Sequence, residues 1–174
     1  MKYCHRMLEV SFPSNNNKRT KILEIGSGSE PHYKYLKSTN CEYYILEKNK
    51  PNKKIKEKTY KNSKIKYFYY DGTKIKFRKN YFDRIVISHT LEHIPSPEKF
   101  LKQLYEVVKK GGVISISLPT DPGILWRLGR LYNKIFNIKK NLNLNALEYD
   151  YMNSIEHINS IYNLINIIRY NFRT

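Results

Sequence analysis

Cysteine is almost missing: Cys4 and Cys41 are the only two among 174 residues. That excludes a disulfide scaffold and an all-cysteine metal site, and it fits a reducing cytoplasm. No run of about 18 uncharged apolar residues occurs, so no membrane-spanning helix is expected. The N-terminus lacks the apolar stretch of a secretory signal. Alanine and glutamine appear once each, as Ala146 and Gln103, and acids are scarce. Against 15 Asp+Glu stand 32 Lys+Arg, a formal net charge of +17.

What is present still builds a core. Hydrophobic residues make up 40% of the chain, which suffices for one packed domain and argues against wholesale disorder. The basic excess invites a nucleic-acid reading, because phosphate backbones reward clustered cations. Yet Lys, Asn, Ile and Tyr dominate the composition, and all four are encoded by AT-rich codons. The cations are mostly Lys, whereas bidentate recognition favours Arg. Genome bias therefore explains much of the charge, and nucleic acid is the weaker expectation.

Elements alternate along the chain. Residues 1–20 are polar, end in Ser14-Asn15-Asn16-Asn17-Lys18, and read as an N-terminal loop. The apolar run 21–25 meets the turn Gly26-Ser27-Gly28, and Pro31 suits the start of a helix continuing through His32 to Leu36. Further strands are expected at 42–46, 66–70, 82–88 and 113–118. Ser96-Pro97-Glu98 opens a helix that carries Phe100, Leu101, Leu104, Val107 and Val108 on one face. Lys109-Lys110-Gly111-Gly112 is expected to close it with a C-cap glycine. Near-continuous apolar strands predict an α/β fold with a doubly wound, mostly parallel sheet. Its weak point is the Lys-rich stretch 48–66, which offers no convincing crossover helix. Two more helices are expected, at 124–138 and 159–170. The domain plan is a segment 1–20, an α/β core 21–119, and an insertion with a last helix at 120–174.

Ligands of open α/β sheets sit beyond the carboxyl ends of the strands, where Gly26 and Gly28 fall. The third glycine of a dinucleotide fingerprint is replaced by Pro31, Glu30 opposes a pyrophosphate, and no phosphate-binding Gly-Lys-Ser/Thr occurs. A nucleotide-like ligand without phosphates fits better.

Glu24-Ile25-Gly26-Ser27-Gly28 resembles motif I of class I S-adenosylmethionine-dependent methyltransferases. Glu47 ends the second strand, Asp71-Gly72 ends the third, and Lys109-Lys110-Gly111-Gly112 precedes the fifth. The segment from Phe82 to Ile94, with His89-Thr90-Leu91-Glu92-His93, is similar to the methyltransferase type 11 branch. The resemblance covers about residues 20–120 and implies a Rossmann-like fold, S-adenosylmethionine as cofactor and no metal. It implies Glu24 near the methionine amino group, Gly26, Ser27 and Gly28 under the methionine tail, Glu47 on the ribose, and Asp71 with Gly72 near adenine. His89 would lie at the strand-four exit, close to the sulfonium. The fold it implies normally ends in a further antiparallel strand pair, which nothing after Ile168 supplies.

An activated methyl group needs mainly an aligned acceptor, and an oxygen acceptor also needs a base. Candidates are His89 and Asp121, with His93 and His157 as weaker ones. Residues 120–158 fall where the family builds acceptor specificity, which points to a small-molecule or glycan-like, even lipid-linked, acceptor. Trp126, Arg127, Arg130 and Lys134 make a basic amphipathic stretch within 124–138. It suits a lid, an acidic acceptor or peripheral contact with an anionic membrane. Two rivals stand beside this reading: an RNA methyltransferase using 48–66, and an inactive cofactor-binding fragment or partner subunit. The oligomeric state is left open.

Overall fold

The computed structural model describes residues 2–12, 18–28, 30–38, 40–48, 65–71, 73–119, 123, 128–129, 131–132, 145–156 and 158–172. Two compact units emerge: 1–90 with 99–117, and 91–98 with 118–174.

In the first unit the apolar runs become parallel strands: β1 (Thr20–Ile25), β2 (Cys41–Glu47), β3 (Ile65–Tyr69), β4 (Phe82–Ser88) and β5 (Val108–Ser117). Their order is β3-β2-β1-β4-β5, every neighbouring pair parallel. The doubly wound expectation holds, with the order reversing between β1 and β4. Register puts Ile22 beside Tyr43 and Arg84, and Glu24 beside Ile45 and Val86. Successive side chains alternate faces, so Ile22, Glu24, Tyr43, Ile45, Arg84 and Val86 share one. Leu8, Ile22, Cys41, Tyr43, Ile45 and Val86 form a buried cluster there, flanked by Tyr33, Leu36, Ile65 and Tyr67.

Three segments of this unit differ from expectation. The N-terminal segment is not a loop: α1 (Lys2–Val10) is a helix whose buried face is His5, Leu8 and Glu9. The helix expected from Pro31 is a single 3-10 turn, His32–Tyr35. A continuing α-helix would aim the Lys37 amide at the Tyr33 carbonyl, but that amide donates to Glu9 Oε2 at 3.0 Å. The helix opened by Pro97 is α2 (Pro97–Val107), and β5 begins at once with Val108. Gly111 is therefore no helix cap. It sits inside β5 at φ +72°, where the pairing jumps from Phe82–Val108 to Arg84–Val113.

In the second unit a 3-10 turn (Leu91–His93) precedes α3 (Ala146–Glu156) and α4 (Ile161–Asn171). Helix α4 matches the expected last helix, with Ser160 accepting from the Asn163 amide at 3.3 Å. Helix α3 was not expected, although its start carries a reciprocal cap. Glu148 Oε2 accepts from the Asn145 amide at 2.7 Å, and Asn145 Oδ1 from the Glu148 amide at 2.9 Å. Of the stretch 124–138, Leu128, Gly129, Leu131 and Tyr132 are described, and they are helical and exposed. Among the described residues, no helix is long and apolar enough to cross a membrane.

Candidate ligand site at the carboxyl ends of the strands

Every described site residue except Asp71 lies at or just past the exits of β1, β2 and β4. Past β1, Gly26 and Gly28 adopt φ +68° and +52°, a left-handed backbone that suits glycine. The Gly26 amide still donates to Leu46 of β2 at 2.9 Å. A Cβ on Gly26 would stand 2.5 Å from Thr90 Oγ1, so the strand-four exit presses directly on the turn. A Cβ on Gly28 would meet nothing within 4 Å among the described residues. The side on which a side chain would stand is open there, which is what a ligand-facing turn requires.

Glu47 ends β2 and ties that turn down. Its Oε2 accepts from the Gly28 amide at 3.2 Å, and its Oε1 from the Lys48 amide at 3.1 Å. Ser27 between the two glycines is buried. Glu24 is also buried, 1% exposed. Its Oε1 accepts from the His32 amide at 2.8 Å and its Oε2 from the Tyr43 hydroxyl at 2.9 Å. Burial pushes its carboxyl up to about 7, against the pull of those two hydrogen bonds and with help from Glu47.

Asp71, one residue past Tyr70 beyond β3, is exposed and caps its own turn. Its Oδ1 accepts from the Thr73 hydroxyl at 2.6 Å and the Thr73 amide at 2.8 Å. These bonds lower its carboxyl to about 2. His89 follows β4 at φ +51°, uncommon for a residue with a side chain. Its amide donates to Ser117 of β5 at 3.0 Å, and its Nε2 lies 3.5 Å from Cys4 Sγ on α1. Gly72, Asp121, Trp126, Arg127, Arg130, Lys134 and His157 lie outside the described residues, as does most of 48–66. His93 is in the second unit, its Nε2 3.8 Å from Glu92. Among the described residues no cluster of His, Cys, Asp or Glu could hold a metal.

Sequence reasoning missed a buried polar chain under α1. Arg84, fully buried on β4, pairs with Glu9 Oε1 and donates to the Leu8 carbonyl at 2.9 Å. Glu9 Oε1 also lies 2.8 Å from His32 Nε2, and His32 Nδ1 lies 3.0 Å from His5 Nδ1. The His5 ring stacks on Tyr35 with centroids 4.8 Å apart. One signal was visible: Arg84 is the only charge in an otherwise apolar run, and a buried charge demands a partner. Burial lowers His5 from 6.5 to about 4, helped by His32, the terminal ammonium and His89 and opposed by Glu30.

Glu24 and His5 thus load the pH dependence of folding in opposite directions. Glu24 contributes stability below 4.5 that is lost as pH rises through about 7. His5 contributes stability above 6.5 that is lost as pH falls toward about 4. Their slopes offset each other between pH 4.5 and 6.5. Melting curves across that range are expected to be flat for the wild type, to fall with pH in His5→Phe, and to rise with pH in Glu24→Gln. Parallel curves for all three proteins would contradict these assignments.

A family model described as a methyltransferase domain matches residues 23–116. No curated protein matches the chain. Among solved structures, the chain resembles the YcgJ protein from Bacillus subtilis, with TM-score 0.70 and 11% identity over 98% of this chain and 68% of that one. It resembles Haemonchus contortus phosphoethanolamine N-methyltransferase 2, solved with S-adenosyl-L-methionine, with TM-score 0.68 and 15% identity. That match covers 97% of this chain and 36% of the other. The [4+2]-cyclase SpnF shares 13% identity at TM-score 0.57, over 66% of this chain and 43% of its own. The chain therefore spans less than half of the last two proteins. At such identities the likeness shows the fold alone.

Proposed function

The chain belongs to the methyltransferase-domain family, class I, whose cofactor is S-adenosylmethionine, and we propose that it transfers a methyl group to a small-molecule or glycan-like acceptor. The observation that carries the cofactor part of this reading is Glu47, whose carboxylate is held on the Gly28 amide beside a left-handed turn with no described atom near the Gly28 Cβ position. A carboxylate at the β2 exit suits a ribose diol, and bare backbone at the β1 exit suits the flat approach of an amino-acid tail.

The residues fit that cofactor. Gly26, Ser27 and Gly28 would underlie its tail, Glu47 would accept from its ribose hydroxyls, and Asp71 would border the adenine. Bound there, S-adenosylmethionine supplies a methyl group already activated on a sulfonium. The chain's own task is then to hold the acceptor in line and exclude water. In support of a role at the reacting end, His89 directly follows β4, with its Nε2 3.5 Å from Cys4 Sγ. We assign His89 to lining the reacting end, with Asp121 as its companion. Glu24 carries the proton bookkeeping of binding. With a carboxyl near 7 in the free protein, it loses its proton when a cation arrives, so affinity should rise with pH through neutrality.

A thermal-shift titration with S-adenosylmethionine and its demethylated product tests the reading. Both are expected to raise the melting temperature by mass action. Glu47→Ala should weaken both by about tenfold to a hundredfold, because a charge-assisted pair of hydrogen bonds is lost. A wild-type protein that shifts with neither ligand would overturn the assignment.

A further inference from the structure

His5 ends the buried chain under α1, and the partners of that chain fix which nitrogen of each ring carries hydrogen. Glu9 is ionised, its carboxyl lowered to about 2 by hydrogen bonds from His32, Arg84 and the Lys37 amide against the cost of burial. It can only accept, so His32 Nε2 must donate. Glu9 and Arg84 already cancel each other's charge, and a second buried cation would stand uncompensated. His32 therefore uses Nδ1 as an acceptor, and His5 Nδ1 donates to it. What remains is His5 Nε2, a bare lone pair. It is buried, the residue 2% exposed, and it has no hydrogen-bond partner among the described residues.

A buried acceptor without a donor is costly, and a ligand can supply the donor. The location says which ligand. His5 adjoins Cys4, whose Sγ meets His89 at the β4 exit. It also adjoins His32, whose amide meets Glu24 at the β1 exit. It thus lies by the crevice where strand order reverses. Each Glu24 oxygen accepts one hydrogen bond, from His32 and Tyr43. A cation drawn there by Glu24 and Glu30 finds a further directional acceptor in His5, one that has no bond of its own among the described residues.

We propose that His5 is a cofactor-binding residue whose Nε2 accepts a hydrogen bond from the α-ammonium of S-adenosylmethionine. The proposal rests on reading the crevice as that cofactor's site. Helix α1 then supplies a wall of the pocket, and Arg84, Glu9 and His32 act as positioning residues that hold the His5 tautomer.

Imidazole ¹⁵N spectra of the full chain test this without any assay of turnover. In the free protein, His5 should show a pyrrole-type Nδ1 and a pyridine-type Nε2, and His32 the reverse. S-adenosylhomocysteine, which keeps the ammonium, should move the His5 Nε2 resonance. 5′-Methylthioadenosine, which lacks the amino-acid tail, should leave it in place. Calorimetry on His5→Phe, which keeps a ring against Tyr35, should show about tenfold weaker binding of S-adenosylhomocysteine and unchanged binding of methylthioadenosine. An Nε2 resonance indifferent to S-adenosylhomocysteine, in a protein that binds it, overturns the proposal alone. Absence of any binding overturns the cofactor reading beneath it.

Discussion

Replacing Arg84 by leucine is expected to cost about 3–5 kcal/mol of folding stability, the range for breaking a buried ion pair from one side. Its guanidinium pairs with Glu9, donates to the Leu8 carbonyl, bonds Ser115 Oγ through Nε at 3.0 Å, and lies 4.1 Å from the Phe12 ring centroid. Leucine would leave the Glu9 carboxylate buried, with only His32 and the Lys37 amide against it. For a chain of this size the melting point should drop by roughly 10 °C or more. The double variant Glu9→Leu/Arg84→Leu should recover most of that loss, since it removes both charges and adds apolar volume. Urea unfolding of the two single variants and the double variant measures the coupling. If the two losses simply add, the pair is not what holds α1 in place.

The second large effect belongs to Gly26→Ala. A left-handed residue with a side chain costs about 1–2 kcal/mol on backbone grounds. The new methyl would also stand 2.5 Å from Thr90 Oγ1 and 2.7 Å from Thr90 Cγ2. Overpacking adds about 1–3 kcal/mol, so the total should reach roughly 2–5 kcal/mol and displace the turn from the strand-four exit. Binding of S-adenosylmethionine should fall with it. Thr90→Ala frees the space and gives up a hydroxyl that donates to the Ile25 or Ser88 carbonyl, each at 3.2 Å. In the Thr90→Ala background the Gly26→Ala penalty should shrink to its backbone part. A penalty of the same size in both backgrounds would show that the clash is not the cause. Gly28→Ala makes a useful contrast: it has the same left-handed backbone with nothing within 4 Å among the described residues. Its stability loss should be the smaller of the two, while any loss of binding reports on the ligand face.

The strands were legible because each centres on a short apolar run, and all but β4 are closed by a glycine, proline or acid within a few residues; such runs have few alternatives inside an α/β chain. The turn at Gly26 and Gly28 and the acid at Glu47 were legible because their order along the chain is informative. Helix α1 was not. Periodicity is read from apolar residues, and its buried face is His5, Leu8 and Glu9, two of them ionisable. Their burial makes sense only with Arg84 and His32, and no local pattern links positions 75 and 23 residues apart. The bond from Tyr43 to Glu24 was hidden for a related reason, since it depends on which residues of β1 and β2 share a face. Asp71 shows the opposite: its hydrogen bonds to Thr73 are those of an ordinary turn residue, a role the sequence already allowed. Helix α3 was overlooked although Asn145 and Glu148 stand at cap spacing and Leu147, Tyr151 and Ile155 repeat every fourth residue; in the structure those three are exposed.

The separation between Glu9 and Arg84 also orders events during synthesis. Residue 9 leaves the ribosome 75 positions ahead of its partner, about 4–15 s at ordinary elongation rates. For that interval Glu9 lacks its arginine, although His32, the Lys37 amide and the Ile22, Tyr43 and Ile45 part of the face that Leu8 covers have already been made before it arrives. An apolar N-terminal helix would spend the time as a sticky surface. One whose inner face is histidine, leucine and glutamate is better hydrated until β4 delivers the arginine. The buried polar chain thus ties the last contact of α1 to the arrival of β4.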